Sequence, residues 1–472
     1  MLTIGKRATT IRPTSRLNGG VLEETALVDE HPDEPKPSTF EQTLSRREVL
    51  IRAGYGLGGL TLAGPVLAAC GSSSGGGGST DTIKIGFVSP RTGPAAGFGE
   101  PDAYVLGLAR NAWAKGLDIG GKHYNVQVID KDGQSNPQRG AQVANELING
   151  DKVDLMLATS TPETVNPVSD ASEAAGVPCI STVVPWEAWY FGRGAKPGEP
   201  SPFKFTYHFC FGVQQFDSAY THLWPQVPTN MKVGVMWPND ADGNAIRAAL
   251  GPMLKQAGYT IVDPGAYTDG SNDYSAQIAL FKAQDCQIFN TFPIPPDFAT
   301  FWQQAAQQGY KPRIAQIAKT GLFPSQVQAL GAIGNNLASA VYWSPTWPYS
   351  SSLTGMSSKD LASGYEQSSG KQWNQQLGAS MALFDAGNAA LKASGNPKST
   401  QAIAGVLPSL SVSTPLGSLA WGKGPVANVV ATPILGGQWT NQSGSKWPLD
   451  FNICENSSDP NVPVASKLIP YS

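Results

Sequence analysis

The stretch IKIGFVSPRTGPAAGFGE, residues 83–100, decides the fold. Its first six residues form a short, nearly continuous apolar run, which suits a strand buried on both faces rather than one alternating between core and water. Pro90, Gly93 and Pro94 then break the chain, and an amphipathic helical pattern follows at roughly 101–115. Such a strand, followed by an amphipathic helix, suits a parallel sheet with helices on both sides. The same unit recurs: YNVQVID at 124–130, VDLMLA at 153–158 and VPCIS at 177–181 read as strands, with helical patterns near 137–149 and 163–175 between them. Pro137, directly after Ser135-Asn136, is a helix-start signal.

A proline- and glycine-rich stretch, GRGAKPGEPSP at 192–202, interrupts the rhythm before a second series starts. KVGVMW at 232–237, YTIVD at 259–263, CQIFN at 286–290, RIAQIA at 313–318 and LASAVYW at 337–343 alternate with helical patterns near 243–257, 274–284, 297–308 and 323–331. Two successive series of this size predict an α/β protein of two Rossmann-like lobes with parallel sheets. A further helical pattern at 377–394 and strands near 411–421 and 428–435 follow both series, so the chain is expected to cross between lobes more than once.

The first 80 residues read as an address. Gly54, Gly56 and Gly59 have the G-x-G-x-x-G spacing, but no buried strand precedes them, so a nucleotide turn is excluded. Instead Ser45-Arg46-Arg47-Glu48-Val49-Leu50 resembles a twin-arginine export motif, with the general route also open, and Leu67-Ala68-Ala69-Cys70 resembles a bacterial lipobox. Residues 1–69 are read as a disordered leader and export signal that is removed. Cys70 would then carry a lipid, and 70–81 would be a flexible Gly/Ser tether. The leader holds equal numbers of acidic and basic residues, so its loss leaves the formal net charge at −3. That near-neutral balance argues against a nucleic-acid partner, which needs a concentrated basic face.

At this point the residues resemble a family. The stretches 83–100, NVQVIDKDGQSNP at 125–137, 147–181 and 232–263 are similar to the type I periplasmic binding proteins, and within them to the branched-chain amino acid (Leu/Ile/Val) class of ABC-transporter solute-binding proteins. The resemblance covers roughly residues 83–435. It implies two α/β lobes joined by three crossings, with lobe one at 82–211 plus about 345–415 and lobe two at 212–344 plus about 416–472. The ligand would lie in the cleft, outside the carboxyl ends of the strands. Matching the family's binding loops selects Phe98 and Gly99, Thr159, Ser160 and Thr161, and Ser181 and Thr182 in lobe one. In lobe two it selects Asp240 and Asp242, Phe292 and Lys319. Trp186 and Trp343 crowd the same loops and would add an aromatic wall. Family members that bind amino acids hold the ammonium with an acid where this chain reads Asn290-Thr291-Phe292-Pro293-Ile294-Pro295, a departure that counts against an α-amino acid.

On the implied fold, Cys179 and Cys210 lie on the last two strands of lobe one and are the pair expected to bridge. The alternative is that they, Cys286 and Cys454 are all small buried apolar residues. No cysteine or histidine spacing suits a metal. His123, His208 and His222 lack a partner motif, and Asp240-Ala241-Asp242-Gly243-Asn244 lacks the sixth-position glycine and twelfth-position glutamate of a calcium loop. No cofactor is expected. The function implied is a lipid-anchored solute-binding protein without catalysis, delivering an amino acid-like, amide or aromatic or apolar carboxylate ligand to an ABC permease. The competing readings are a ligand sensor of the same fold and a secreted hydrolase.

Overall fold

The computed structural model describes residues 81–471. The leader, Cys70 and nearly all of the tether lie outside them. The first sheet comprises β1 (Thr82–Ser89), β2 (Leu117–Ile119), β3 (Lys122–Asp132), β4 (Leu155–Thr159), β5 (Cys179–Thr182) and β6 (Thr206–Phe209). The second begins with β7 (Lys232–Met236), β8 (Thr260–Val262), β9 (Ile288–Thr291), β10 (Ile314–Ile317) and β11 (Ala338–Val341). A hairpin of β12 (Ser411–Thr414) and β13 (Gly417–Ala420) precedes β14 (Val429–Val430), β15 (Leu435–Thr440) and β16 (Asp450–Glu455).

The strand orders are β14-β6-β5-β4-β1-β3-β2 and β16-β15-β11-β10-β9-β7-β8. In the first sheet only the β2–β3 pair is antiparallel; in the second, β15 and β16 add an antiparallel edge. Both lobes belong to one compact unit and have the two-lobe α/β form that the run at 83–88 and its repeats predict. Strand order reverses beside β1 in the first lobe and beside β7 in the second. These are the switch points at which open sheets leave a crevice.

The helices start where the sequence signals them. Asn136 caps the helix Pro137–Asn145, its side chain accepting from the Arg139 N–H, and Asp240 caps Ala241–Gln256 through the Gly243 N–H. The helix Gln376–Ala393 is buried along nearly its whole length, which explains why its sequence is apolar all round. It packs against β4 and β5, so the chain has returned to lobe one by then.

Two expectations are corrected. The resemblance implies that residues from about 416 lie in lobe two, yet Val429 and Val430 pair in parallel with His208 and Phe209 at the edge of the first sheet. The open edge of β6 requires partners: the His208 and Cys210 N–H groups donate to the carbonyls of Asn428 and Val430. The third crossing therefore lies between β14 and β15. The expected disulfide is also absent, since all four cysteines of the described residues are free thiols. Cys179 stands opposite Thr206, whereas Cys210 lies one residue beyond Phe209. A four-residue offset is about 13 Å along a strand, and a bridge needs Cα atoms within about 7 Å.

Candidate functional site

The loops that leave the carboxyl ends of the strands enclose a narrow buried cavity of about 40 Å³ between the lobes. Lobe one contributes Phe98 after β1, Thr161 after β4, and Val183 and Pro185 after β5. Lobe two contributes Asp242 after β7, Phe292 after β9, and Ala318, Lys319 and Leu322 after β10. Each of the three crossings adds a side chain to the wall: Phe211 from the first, Tyr342 from the second and Ile434 from the third. Phe211 and Tyr342 have ring centroids 5.3 Å apart, and Phe98 meets Phe323 of the opposite lobe edge to face at 4.8 Å. Almost the whole lining is buried, so a solute enters only when the lobes part.

The polar groups sit at one end. The Lys319 ammonium lies 2.8 Å from Asp240 Oδ2 and 3.0 Å from Asp242 Oδ2. Burial alone would pull Lys319 down, but Asp242, Asp240 and Glu163 outweigh it and hold it well above its ordinary value. Burial pushes Asp242 up to about 6 against the attraction of Lys319. Its Oδ1 and the hydroxyl of Thr161 are buried without a protein partner, an arrangement that costs stability unless something else fills it.

Thr161, Val183 and Lys319 also have φ of 63°, 60° and 42°. Such conformations cost about 1–3 kcal/mol each and gather where a ligand is gripped.

The structure thus brings together Phe98, Thr161, Asp242, Phe292 and Lys319, with Asp240 behind Lys319 in an adjoining cavity of about 110 Å³. Other residues expected at the site face elsewhere. The Thr182 hydroxyl donates to the Phe209 carbonyl at 2.7 Å. Ser181 Oγ lies 2.8 Å from His208 Nδ1, while His208 Nε2 lies 2.8 Å from the Val184 carbonyl. Nε2–H donates to that carbonyl, so Ser181 donates to Nδ1. This buried serine and histidine do not form a nucleophile and base, because both are wholly enclosed, burial lowers His208 to about 3, and no carboxylate orients the ring. Thr159 Oγ1 accepts from Gln376 and contacts Ser160 Oγ. Gly99 packs against the Pro90 carbonyl.

The two tryptophans are packing residues. Trp186 packs edge-on and tilted against Tyr190 and Phe191. Trp343 lies flat on the backbone at Gly378 and donates to Ser358 Oγ. The residues missed include Val183, Pro185, Phe216 and Leu322 and those of the crossings, Phe211, Tyr342 and Ile434, whose signal is an aromatic or branched residue in the segment between one strand and the next element.

Comparison with known proteins agrees with this architecture. A family model described as periplasmic binding protein matches residues 82–443. The Leu/Ile/Val-binding protein homolog 8 of Brucella abortus is 24% identical over 270 residues, covering 55% of this chain and 63% of that protein. The match therefore spans less than two thirds of the relative's length. The leucine binding protein of Thermotoga maritima superposes with a TM-score of 0.65 at 16% identity, covering 80% of this chain and 99% of that one. A solute binding protein of an ABC transporter from Rhodopseudomonas palustris, in complex with 3,4-dihydroxy benzoic acid, superposes at 0.63 with 18% identity, covering 82% and 98%. With the family model spanning both lobes and the crossings between them, the chain belongs to the periplasmic binding proteins, with the type I fold.

Proposed function

We propose that this protein captures a small organic solute in the interlobe cavity and delivers it to an ABC importer, held at the outer face of the membrane by a lipid on Cys70. The observation that carries the reading is the cavity itself: both lobes and all three crossings line it, so a ligand completes its contacts only when the cleft closes. The relatives support the same role, since their names record Leu/Ile/Val binding and an aromatic acid bound by an ABC-transporter solute binding protein. No helix of the described residues is long and apolar enough to cross a membrane, and the anchor rests on the lipobox resemblance alone.

A thermal-shift screen of amino acids, amides, aromatic acids, amines and sugars, followed by calorimetry, tests the reading. A binding solute should lose affinity by about 0.5–3 kcal/mol in Thr161→Ala, because one hydrogen bond is removed. A solute whose affinity is unchanged in both Thr161→Ala and Phe292→Ala binds elsewhere, and the cleft reading then fails.

A further inference from the structure

The cavity's hydrogen-bonding groups are unequal in kind. The donors that a carboxylate would use on lobe one are already committed: the N–H groups of Ser160 and Thr161 donate to the Thr182 and Val183 carbonyls. The Ser181 and Thr182 hydroxyls are turned into the sheet. Lys319 is held by two aspartates. The unpartnered groups that line the cavity are Asp242 Oδ1, an acceptor, and Thr161 Oγ1, which can accept as well as donate. Asp242 is 5% exposed and Thr161 6%.

Charge points the same way. Asp240, Asp242 and Glu163 surround the single Lys319, and Asp269 joins Asp240 and Glu163 around the adjoining cavity. A carboxylate would have to displace an aspartate from Lys319 within a site of net negative charge, whereas a protonated amine meets spare acceptors. The remainder of the wall, including Phe98, Phe216, Phe292 and Leu322, is apolar or aromatic and suits a hydrocarbon body beside a cation.

Building on the cleft reading, we infer that the ligand is a small primary amine with an apolar body and no carboxylate, its ammonium donating to Asp242 Oδ1 and Thr161 Oγ1. Calorimetric titration of the full chain with matched pairs tests this: 3-methylbutylamine against 4-methylpentanoate, and benzylamine against benzoate, with leucine as the zwitterion. Burial pushes Asp242 up only to about 6, so at about pH 7.5 its carboxylate is ionised. The amine of at least one pair should then bind about 10-fold or more tightly than its carboxylate and than leucine. Asp242→Asn should weaken the amine about 10-fold while leaving the carboxylate no weaker. Should Asp242→Asn fail to fold, the wild-type pairs decide the matter alone. Tighter binding of a carboxylate or of leucine overturns the amine assignment but leaves the cleft reading standing, and absence of amine binding at millimolar concentration also overturns it. The cleft reading falls separately, when a bound solute ignores both Thr161→Ala and Phe292→Ala.

Discussion

Asp102 stands in the first turn of the helix Asp102–Ala112, wholly buried, with Oδ1 accepting from Ser380 Oγ at 3.0 Å and Oδ2 unpartnered. Burial pushes it up to about 7, against the pull of the neighbouring Ser89 hydroxyl, the Ser380 hydroxyl and Arg91. Because the folded value lies above the unfolded one, ionising Asp102 opposes folding; the penalty is absent below about pH 4 and complete above about pH 7. Asp102→Asn should therefore raise stability by about 1–4 kcal/mol at pH 8 and by almost nothing at pH 4, read from urea melts at the two values. An equal effect at both, or destabilisation at pH 8, would refute this. At this scale the sequence reveals which loops line the cavity but not which way a hydroxyl turns. Thr161 and Ser181 are both polar residues at strand ends; only the positive φ at Thr161 and the presence of His208 beside Ser181 separate them.

Among the elements, the helix Gln376–Ala393 links the crossings to the binding loops. Gln376 Nε2 donates to Thr159 Oγ1, and its Oε1 accepts from the hydroxyl of Tyr342, a cavity residue. Two residues on, Gly378 has no room for a side chain, since a Cβ there would meet the indole of Trp343 at 2.2 Å. Gly378→Ala should cost about 1–3 kcal/mol of unfolding free energy, measured by denaturant titration, as overpacking does elsewhere. Unchanged stability would mean that Trp343 yields freely. The helix was legible at 377–394 because its apolar run is too long for a strand. A strand near 428–435 was legible too, but the place of β14 in lobe one was not, since its partner β6 is distant in sequence.

For the whole molecule, two series of βα units were enough to read two lobes, and the loops after β1, β4, β7, β9 and β10 gave much of the wall. The hinge residues Phe211, Tyr342 and Ile434 escaped notice because they face the cavity only once three separate crossings are assembled. That assembly is the basis of the central claim, that a solute captured between the lobes holds them together. A micromolar ligand provides about 8 kcal/mol, enough to make a closed state dominant when it lies a few kcal/mol above the open one. The most direct test is small-angle scattering of the protein with and without a saturating ligand found by the screen. Closure around the buried cavity predicts a smaller radius of gyration with the ligand, and a saturating ligand that leaves the scattering curve unchanged would contradict it.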